Sequence, residues 1–139
     1  MKKILWLSFI LLGVSCKKGI GPEPVVDINK IYGTWDWLSS SGGFAGGTET
    51  PQNTHTRMSL KITNGTMYSY RNDTLVSQRN FVVVKAKSFI VTQAGTDSSY
   101  FIHFTPQSLD QQIMAAQSNS LTLAEVADDG FISGYVRRK

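Results

Sequence analysis

Hydrophobic and polar residues alternate along most of the chain. Met58, Leu60 and Ile62 lie two positions apart, so they share one face of an extended segment, and polar residues separate them. This period of two is typical of a β-strand with one buried face, because a helix would need apolar residues three or four positions apart. Asn64 and Gly65 follow directly, and this dipeptide is the strongest short-range signal for a β-hairpin. The pattern therefore predicts two antiparallel strands here.

The same alternation continues toward the C-terminus in short stretches separated by turn residues. In chain order these stretches are TMYSY, LVSQRNFVVVKA, SFIVTQ, SYFIHF, QQIMAAQ, SLTLAEV and GFISGYVRR. With the strand before Asn64 and another near residue 35, the chain has about eight or nine short strands at close spacing, which is typical of an antiparallel barrel. Residues 108–117 also allow a helical turn. The sequence thus predicts an all-β fold, a small antiparallel up-and-down barrel.

The first sixteen residues follow a different pattern. Lys2 and Lys3 precede an apolar run that is too short to cross a bilayer as a helix but has the length of a signal-peptide core. The run ends in LLGVSC, which resembles the site where bacterial lipoproteins are cleaved and lipidated, with Ser15 and Cys16 matching. The resemblance implies that Cys16 becomes the acylated first residue of the mature protein, with palmitate among its acyl chains. Two or more such chains suffice for stable anchoring, since each buried methylene contributes about 0.8 kcal/mol.

Cys16 is the only cysteine of the chain. The alternative, a secretory signal with an unmodified cysteine, is disfavoured because unpaired cysteines are unusual in exported proteins. Lys17 stands where inner-membrane lipoproteins of many Gram-negative bacteria have Asp, so the resemblance implies the outer membrane, facing the periplasm, with surface exposure left open. We expect a signal peptide (residues 1–15), a lipidated flexible tether (16–29, with two glycines and two prolines) and one domain (30–139).

The charge distribution argues against nucleic acid as a partner. The net charge of the full chain is +4, and it falls to +2 once Lys2 and Lys3 leave with the signal peptide. Lys17 and Lys18 lie beside the membrane and three basic residues end the chain, while the part between them is slightly acidic and has no basic stripe. The partners predicted from the sequence are therefore membrane lipid, through Cys16, and a small molecule.

Residue combinations typical of catalysis are missing from the sequence. It has no Gly-x-Ser-x-Gly nucleophile elbow, no phosphate-binding glycine loop after a strand and no His-Glu-x-x-His pair. His55 and His103 have no third ligand at a spacing suited to a metal site. We therefore expect no enzymatic activity, no metal and no cofactor.

Gly33 and Trp35 form a Gly-x-Trp motif like the one that opens the first strand of lipocalin barrels. The GYVRR segment supplies Arg137 and Arg138 where lipocalins place an arginine across that tryptophan. Over residues 30–139 the chain resembles the lipocalin-like lipoproteins of Gram-negative bacteria. The resemblance implies a barrel floor formed by these four residues, with a cation–π contribution of about 0.5 to 2 kcal/mol from the arginine. Since residues 33 and 35 face the same side of a strand, we expect Gly33 to leave room for the indole.

Small eight-stranded barrels have interiors just wide enough for side chains or for one small ligand. Trp37 points to the same side as Trp35 and is expected to line a pocket above it. Residues 39–56 are a long connection rich in Gly, Ser and Thr, either a mobile surface loop or a lid that docks Phe44 over the open end. Two functions stay open: binding of a small apolar or amphipathic ligand, or a tethered structural or protein-binding module with a filled barrel.

The hairpin at Asn64 and Gly65 has two alternative registers. A two-residue turn pairs Ile62 with Met67 and turns Tyr68 and Tyr70 outward, whereas a three-residue loop with a glycine bulge turns both tyrosines inward. We expect the bulge, because bulky aromatic rings suit a barrel interior and the related lipoproteins tend to have an inward aromatic residue there. Tyr68 and Tyr70 then join Trp37 and Phe44 as the predicted ligand-binding residues.

Overall fold

The computed structural model describes residues 26–87, 99–106 and 108–139. The signal peptide, Cys16 and the predicted strand SFIVTQ lie outside the described residues. A 3-10 helix at Ile28–Lys30 precedes the first strand, and one short helix, α1, spans Pro51–Thr54. The strands are β1 (Gly33–Gly42), β2 (Gly47–Glu49), β3 (Met58–Thr63), β4 (Thr66–Arg71), β5 (Thr74–Ala86), β6 (Ser99–Thr105), β7 (Gln111–Ala116), β8 (Ser120–Glu125) and β9 (Phe131–Arg137).

Eight of these strands close into a barrel. β1 pairs with β3, each later strand pairs with the next, and β9 returns to pair with β1, all of them antiparallel. β2 is an extra strand that pairs with the end of β1. Closure gives every barrel strand two neighbours, so the sheet exposes few unpaired backbone groups. The all-β, antiparallel, up-and-down barrel is confirmed, and its size and strand order are those of a small lipocalin-like barrel.

One end of the barrel is covered by the chain that leads into it. Val26 forms a parallel bridge with Ala116, and the 3-10 helix and the buried Ile31 follow it across this end. We call it the closed end, and the opposite end, where β4 leads into β5 and β8 into β9, the open end. The hydrophobic core fills the half of the lumen next to the closed end; its buried members are Ile31, Trp35, Leu60, Ile62, Met67, Phe81, Ile102, Phe104, Ile113, Ala116, Leu121 and Leu123.

Residues 39–56 are more regular than the sequence suggests. β1 runs on to Gly42, and a four-residue turn connects it to β2, so the first part of this segment is a hairpin. Thr50 then caps α1 by accepting a hydrogen bond from the Asn53 backbone amide, while the Asn53 side chain accepts one from the Thr50 amide. Residues 108–117 likewise contain a strand, β7, where the sequence also allowed a helical turn.

The predicted bulge at the β3–β4 hairpin is wrong. Thr63 pairs with Thr66 and Ile62 with Met67, so the turn has two residues, Asn64 and Gly65. Ile62 and Met67 are each only 1% exposed. The inward positions of β4 therefore belong to apolar Met67, while the tyrosine hydroxyls avoid an apolar core in which each would need a hydrogen-bond partner.

Candidate functional site

At the closed end, Trp35 lies at the centre of the barrel floor. It is fully buried, and its Nε1 donates a hydrogen bond to the Ile31 carbonyl oxygen at 2.7 Å. The Arg137 guanidinium lies over the indole, 4.1 Å from the ring centroid. The contact predicted between this tryptophan and a C-terminal arginine is therefore present, and it is made by Arg137.

The Arg137 guanidinium also links two backbone segments of the floor through three carbonyl oxygens. Its nitrogens donate to the carbonyl oxygens of Ser118 at 2.6 Å, Tyr32 at 2.9 Å and Lys30 at 2.6 Å. Gly33 has φ +138°, and a Cβ atom there would clash with Arg137 Nη1. The glycine thus makes room for the arginine, and the expectation that it makes room for the indole is corrected.

Arg138 does not belong to the barrel floor. Its side chain turns to the outer surface and forms an ion pair with Asp36, whose carboxylate accepts hydrogen bonds from the guanidinium. Alternation along β9 explains the difference, since Arg137 and Arg138 point to opposite sides of the sheet. The sequence placed both arginines at the floor, and the structure assigns the floor to Arg137.

Toward the open end, the lumen contains a small pocket of about 160 Å³ that borders the hydrophobic core. We call it the lumen pocket. Its lining includes Met58, Leu60, Met67, Arg79, Gln111 and Tyr135. Arg71 at the rim is the second charged residue of the lining, and no carboxylate is among the described residues that line it. The pocket therefore combines an apolar side with a polar, positively charged side.

Arg79 is the central polar group of the lumen pocket. Its guanidinium stacks on Phe104, 3.8 Å from the ring centroid, and Nη1 donates to Ser108 Oγ at 3.2 Å. Its Nε is buried without a hydrogen-bond partner in the described part of the chain. Burial lowers the pKa of Arg79, while the negative charges of Glu125 and ionised Tyr135 act in the opposite direction. The guanidinium stays protonated at neutral pH because its ordinary pKa is so high.

Two further polar groups line the pocket with Arg79, from β7 and β9. The Oε1 atom of Gln111 is also buried without a partner in the described ranges. Burial raises the pKa of Tyr135, so its phenol keeps its proton at neutral pH and acts as a hydrogen-bond donor. Buried polar atoms are normally hydrogen-bonded in folded proteins, so two unpartnered atoms beside one pocket call for partners, which a water molecule or a ligand would supply.

The predicted ligand-binding residues are only partly assembled around this pocket. Trp37 is 3% exposed, and its Nε1 donates to Ser40 Oγ at 2.9 Å. It borders a wider depression of about 430 Å³ whose lining includes the Asp36–Arg138 ion pair of the outer surface. Phe44 is 99% exposed at the tip of the β1–β2 hairpin and does not cover the open end. Tyr68 pairs with the exposed Lys61 on the outer face. Of these four residues, Tyr70 alone borders the lumen pocket.

Sequence reasoning missed Arg79, Gln111 and Tyr135. A signal for Arg79 was available, since it lies two positions before Phe81 and therefore on the inward face of β5. A charged residue on an otherwise apolar strand face is unusual and often functional. Gln111 and Tyr135 had no comparable signal, because both look like ordinary half-buried strand residues.

No family model, no curated protein and no solved structure matches this chain, so its function is inferred from its own residues. Among the described residues, no helix is long and apolar enough to cross a membrane. The same residues contain no group of three or more His, Cys, Asp or Glu side chains that would hold a metal ion.

Proposed function

We propose that this protein is an outer-membrane lipoprotein whose lipocalin-like barrel binds a small amphipathic molecule in the lumen pocket. The observation that carries the proposal is the pairing of unsatisfied polar atoms, Arg79 Nε and Gln111 Oε1, with an apolar wall in one cavity. An unpartnered buried polar atom costs about 1 to 3 kcal/mol, and a ligand that supplies the partner recovers that free energy. The titratable groups of the lining are arginines and tyrosines, which suit binding better than catalysis.

The position of the tether supports a barrel held on a membrane with its pocket accessible. Val26 enters the fold at the closed end, where its neighbour Asp27 donates a backbone hydrogen bond to the Ala116 carbonyl oxygen at 3.1 Å. The lumen pocket lies toward the open end of the barrel. A lipid anchor at Cys16 would therefore attach near the closed end and leave the open end free to receive a ligand from the periplasm.

The second candidate function is a tethered structural or protein-binding module. Its support is the filled half of the lumen, where Phe81, Ile102 and Phe104 are buried next to Trp35. The lumen pocket is also smaller than the roughly 300 to 1,000 Å³ of sites for drug-sized ligands. This candidate predicts that no small molecule accompanies the purified protein.

Ligand binding is tested by a substitution that fills the lumen pocket with a side chain. Ser69 lines the lumen pocket, so Ser69→Phe places a ring inside it, whereas Ser120 is exposed on β8 and Ser120→Phe is the matched control. Native mass spectrometry of the protein, transferred from its membrane into nanodiscs, should show a bound small molecule in the wild type and in Ser120→Phe, and none in Ser69→Phe. If all three proteins carry the lipid anchor alone, the structural module is the correct function.

The anchor is tested separately. Cys16→Ser should abolish lipidation and release the protein from the membrane fraction, because the thiol is the atom that carries the diacylglycerol. Lys17→Ser is the control and should stay lipidated in the outer membrane. Intact mass and fractionation measure both effects, and a Cys16→Ser protein that still carries lipid would refute the anchor.

A further inference from the structure

The charged groups of the lumen pocket are unbalanced. Arg71 and Arg79 contribute two positive charges, and the described lining contributes no carboxylate. Glu125 is the acid that acts on Arg79 electrostatically, but among the described residues no carboxylate lies within salt-bridge distance of Arg79. The Glu125 carboxylate is engaged elsewhere, as it accepts a hydrogen bond from the Phe131 backbone amide at 3.1 Å.

The Arg79 side chain is held in place, and one of its donors is still unused. Stacking on fully buried Phe104 and the hydrogen bond to Ser108 fix the plane of the guanidinium, while Nε has no partner in the described ranges. A guanidinium binds a carboxylate best through two parallel N–H donors, and because Nε is enclosed by protein atoms, the donors that reach an anion in the pocket are those of the terminal nitrogens. A fixed fork loses little conformational entropy when the anion binds.

We propose that the ligand of the lumen pocket is a short amphipathic carboxylic acid, bound as its anion with the carboxylate on Arg79 and the hydrocarbon part against Met58, Leu60 and Met67. This inference rests on the proposed function, since it names the chemical class of the ligand that the same pocket binds. The pocket volume of about 160 Å³ limits the length of the acid, because a long acyl chain would not fit inside it.

The neighbours of Arg79 complete the recognition of a carboxylate. Tyr135 lines the pocket with a phenol that burial keeps protonated and that already shares a hydrogen bond with Ser133, so it adds no negative charge to repel an anion. The Gln111 amide lies on the adjoining wall, and rotation about its last torsion exchanges its oxygen for its NH₂ donors. A neutral amide or an alcohol of the same length would bring no opposite charge to the half-buried guanidinium.

The test compares pentanoate with pentanamide, which have the same carbon chain and differ in the charged group. Isothermal titration of the lipidated full-length protein in nanodiscs, with empty nanodiscs as the blank, measures both affinities. Pentanoate should bind at least about tenfold more tightly than pentanamide, because an ion pair with the half-buried guanidinium is stronger than a hydrogen bond from it to a neutral amide. Arg79→Met should abolish this preference, and Lys61→Met, which removes an exposed positive charge from the outer face, should retain it.

The salt dependence of binding distinguishes the two arginines without any substitution. A contact with half-buried Arg79 is screened less than one with exposed Arg71, so the preference for pentanoate should persist at about 0.5 M NaCl if Arg79 holds the anion and disappear if Arg71 does. Thermal melting checks that Arg79→Met is folded, and Arg79→Lys, which keeps the charge but lacks the fork, should bind pentanoate with intermediate affinity.

The outcomes distinguish the two proposals. Equal binding of pentanoate and pentanamide, both lost in Ser69→Phe, would overturn the acid and leave ligand binding in the lumen standing. Absence of binding by either compound, together with no copurifying small molecule, would overturn both proposals. A tenfold preference that survives in folded Arg79→Met would place the anion elsewhere and overturn the assignment to Arg79.

Discussion

Two arginines of the barrel stack on aromatic rings, but they are used differently. At the closed end, Arg137 lies over Trp35 and donates to three backbone carbonyl oxygens. Beside the lumen pocket, Arg79 lies over Phe104, donates to Ser108 and keeps a buried Nε without a partner among the described residues. The stacked arginine thus stabilises the fold where each of its nitrogens has an acceptor, and we expect it to bind a ligand where one nitrogen has none.

The largest loss of stability is expected from a substitution at the centre of the closed end. Trp35→Ala should lower the free energy of unfolding by about 3 to 5 kcal/mol, because it leaves a cavity and removes the surface on which Arg137 stacks. Leu38→Ala on the same strand is the control, since Leu38 is half exposed, and it should change stability by about 1 kcal/mol or less. Urea unfolding measures both, and a small loss for Trp35→Ala would contradict its role as the floor of the barrel.

The two arginines are compared directly by the same substitution. Arg137→Met should cost about 2 to 4 kcal/mol, since three carbonyl oxygens lose a charged donor. Arg79→Met should stay within about 1 kcal/mol of the wild type, in either direction, because it removes a partly desolvated charge with an unsatisfied donor and keeps apolar contact with Phe104. Equal losses in the two variants would mean that Arg79 is a structural residue like Arg137.

Gly33→Ala tests how closely Arg137 approaches the backbone. The added methyl would clash with Nη1 and the backbone is in a region that favours glycine, so we expect a loss of about 1 to 3 kcal/mol. Gly47→Ala, where no atom lies within 4 Å of the added methyl, should change stability by about 0.5 kcal/mol or less. In the double variant Gly33→Ala/Arg137→Met the two losses should not add, because the clash disappears with the guanidinium.

The smallest effect is expected at the tip of the β1–β2 hairpin. Phe44→Ser should alter the free energy of unfolding by about 0.5 kcal/mol or less, since the ring is 99% exposed. It should also leave pentanoate affinity unchanged, because Phe44 does not line the lumen pocket. A loss of affinity in titration, without a loss of stability, would show that the hairpin closes over the pocket when the ligand binds.

The sequence by itself determined the features that depend on residues close together in the chain. Alternation at i and i+2 identified β3 and the later strands, because a half-buried strand must present one apolar face. The Gly33 and Trp35 motif, with an arginine near the C-terminus, marked the closed end. The same alternation placed Arg79 on the inward face of β5 with Phe81, although that signal was not used to predict the site.

The tertiary structure alone decided the features that depend on distant partners. The structure places Met67 inward on β4, where the sequence analysis had placed Tyr68. A shift of one residue in the hairpin register turns every following side chain to the other face of the strand. Both faces of β4 carry apolar or aromatic residues, so the local pattern does not determine which face is buried. Whether Arg79 Nε and Gln111 Oε1 find partners depends on what β6, β7 and β9 bring beside them across the lumen. Whether a buried polar atom has a hydrogen-bond partner depends on strands that are far apart in the sequence. The strand pattern therefore predicted the fold, whereas the candidate site could be identified only in the closed barrel.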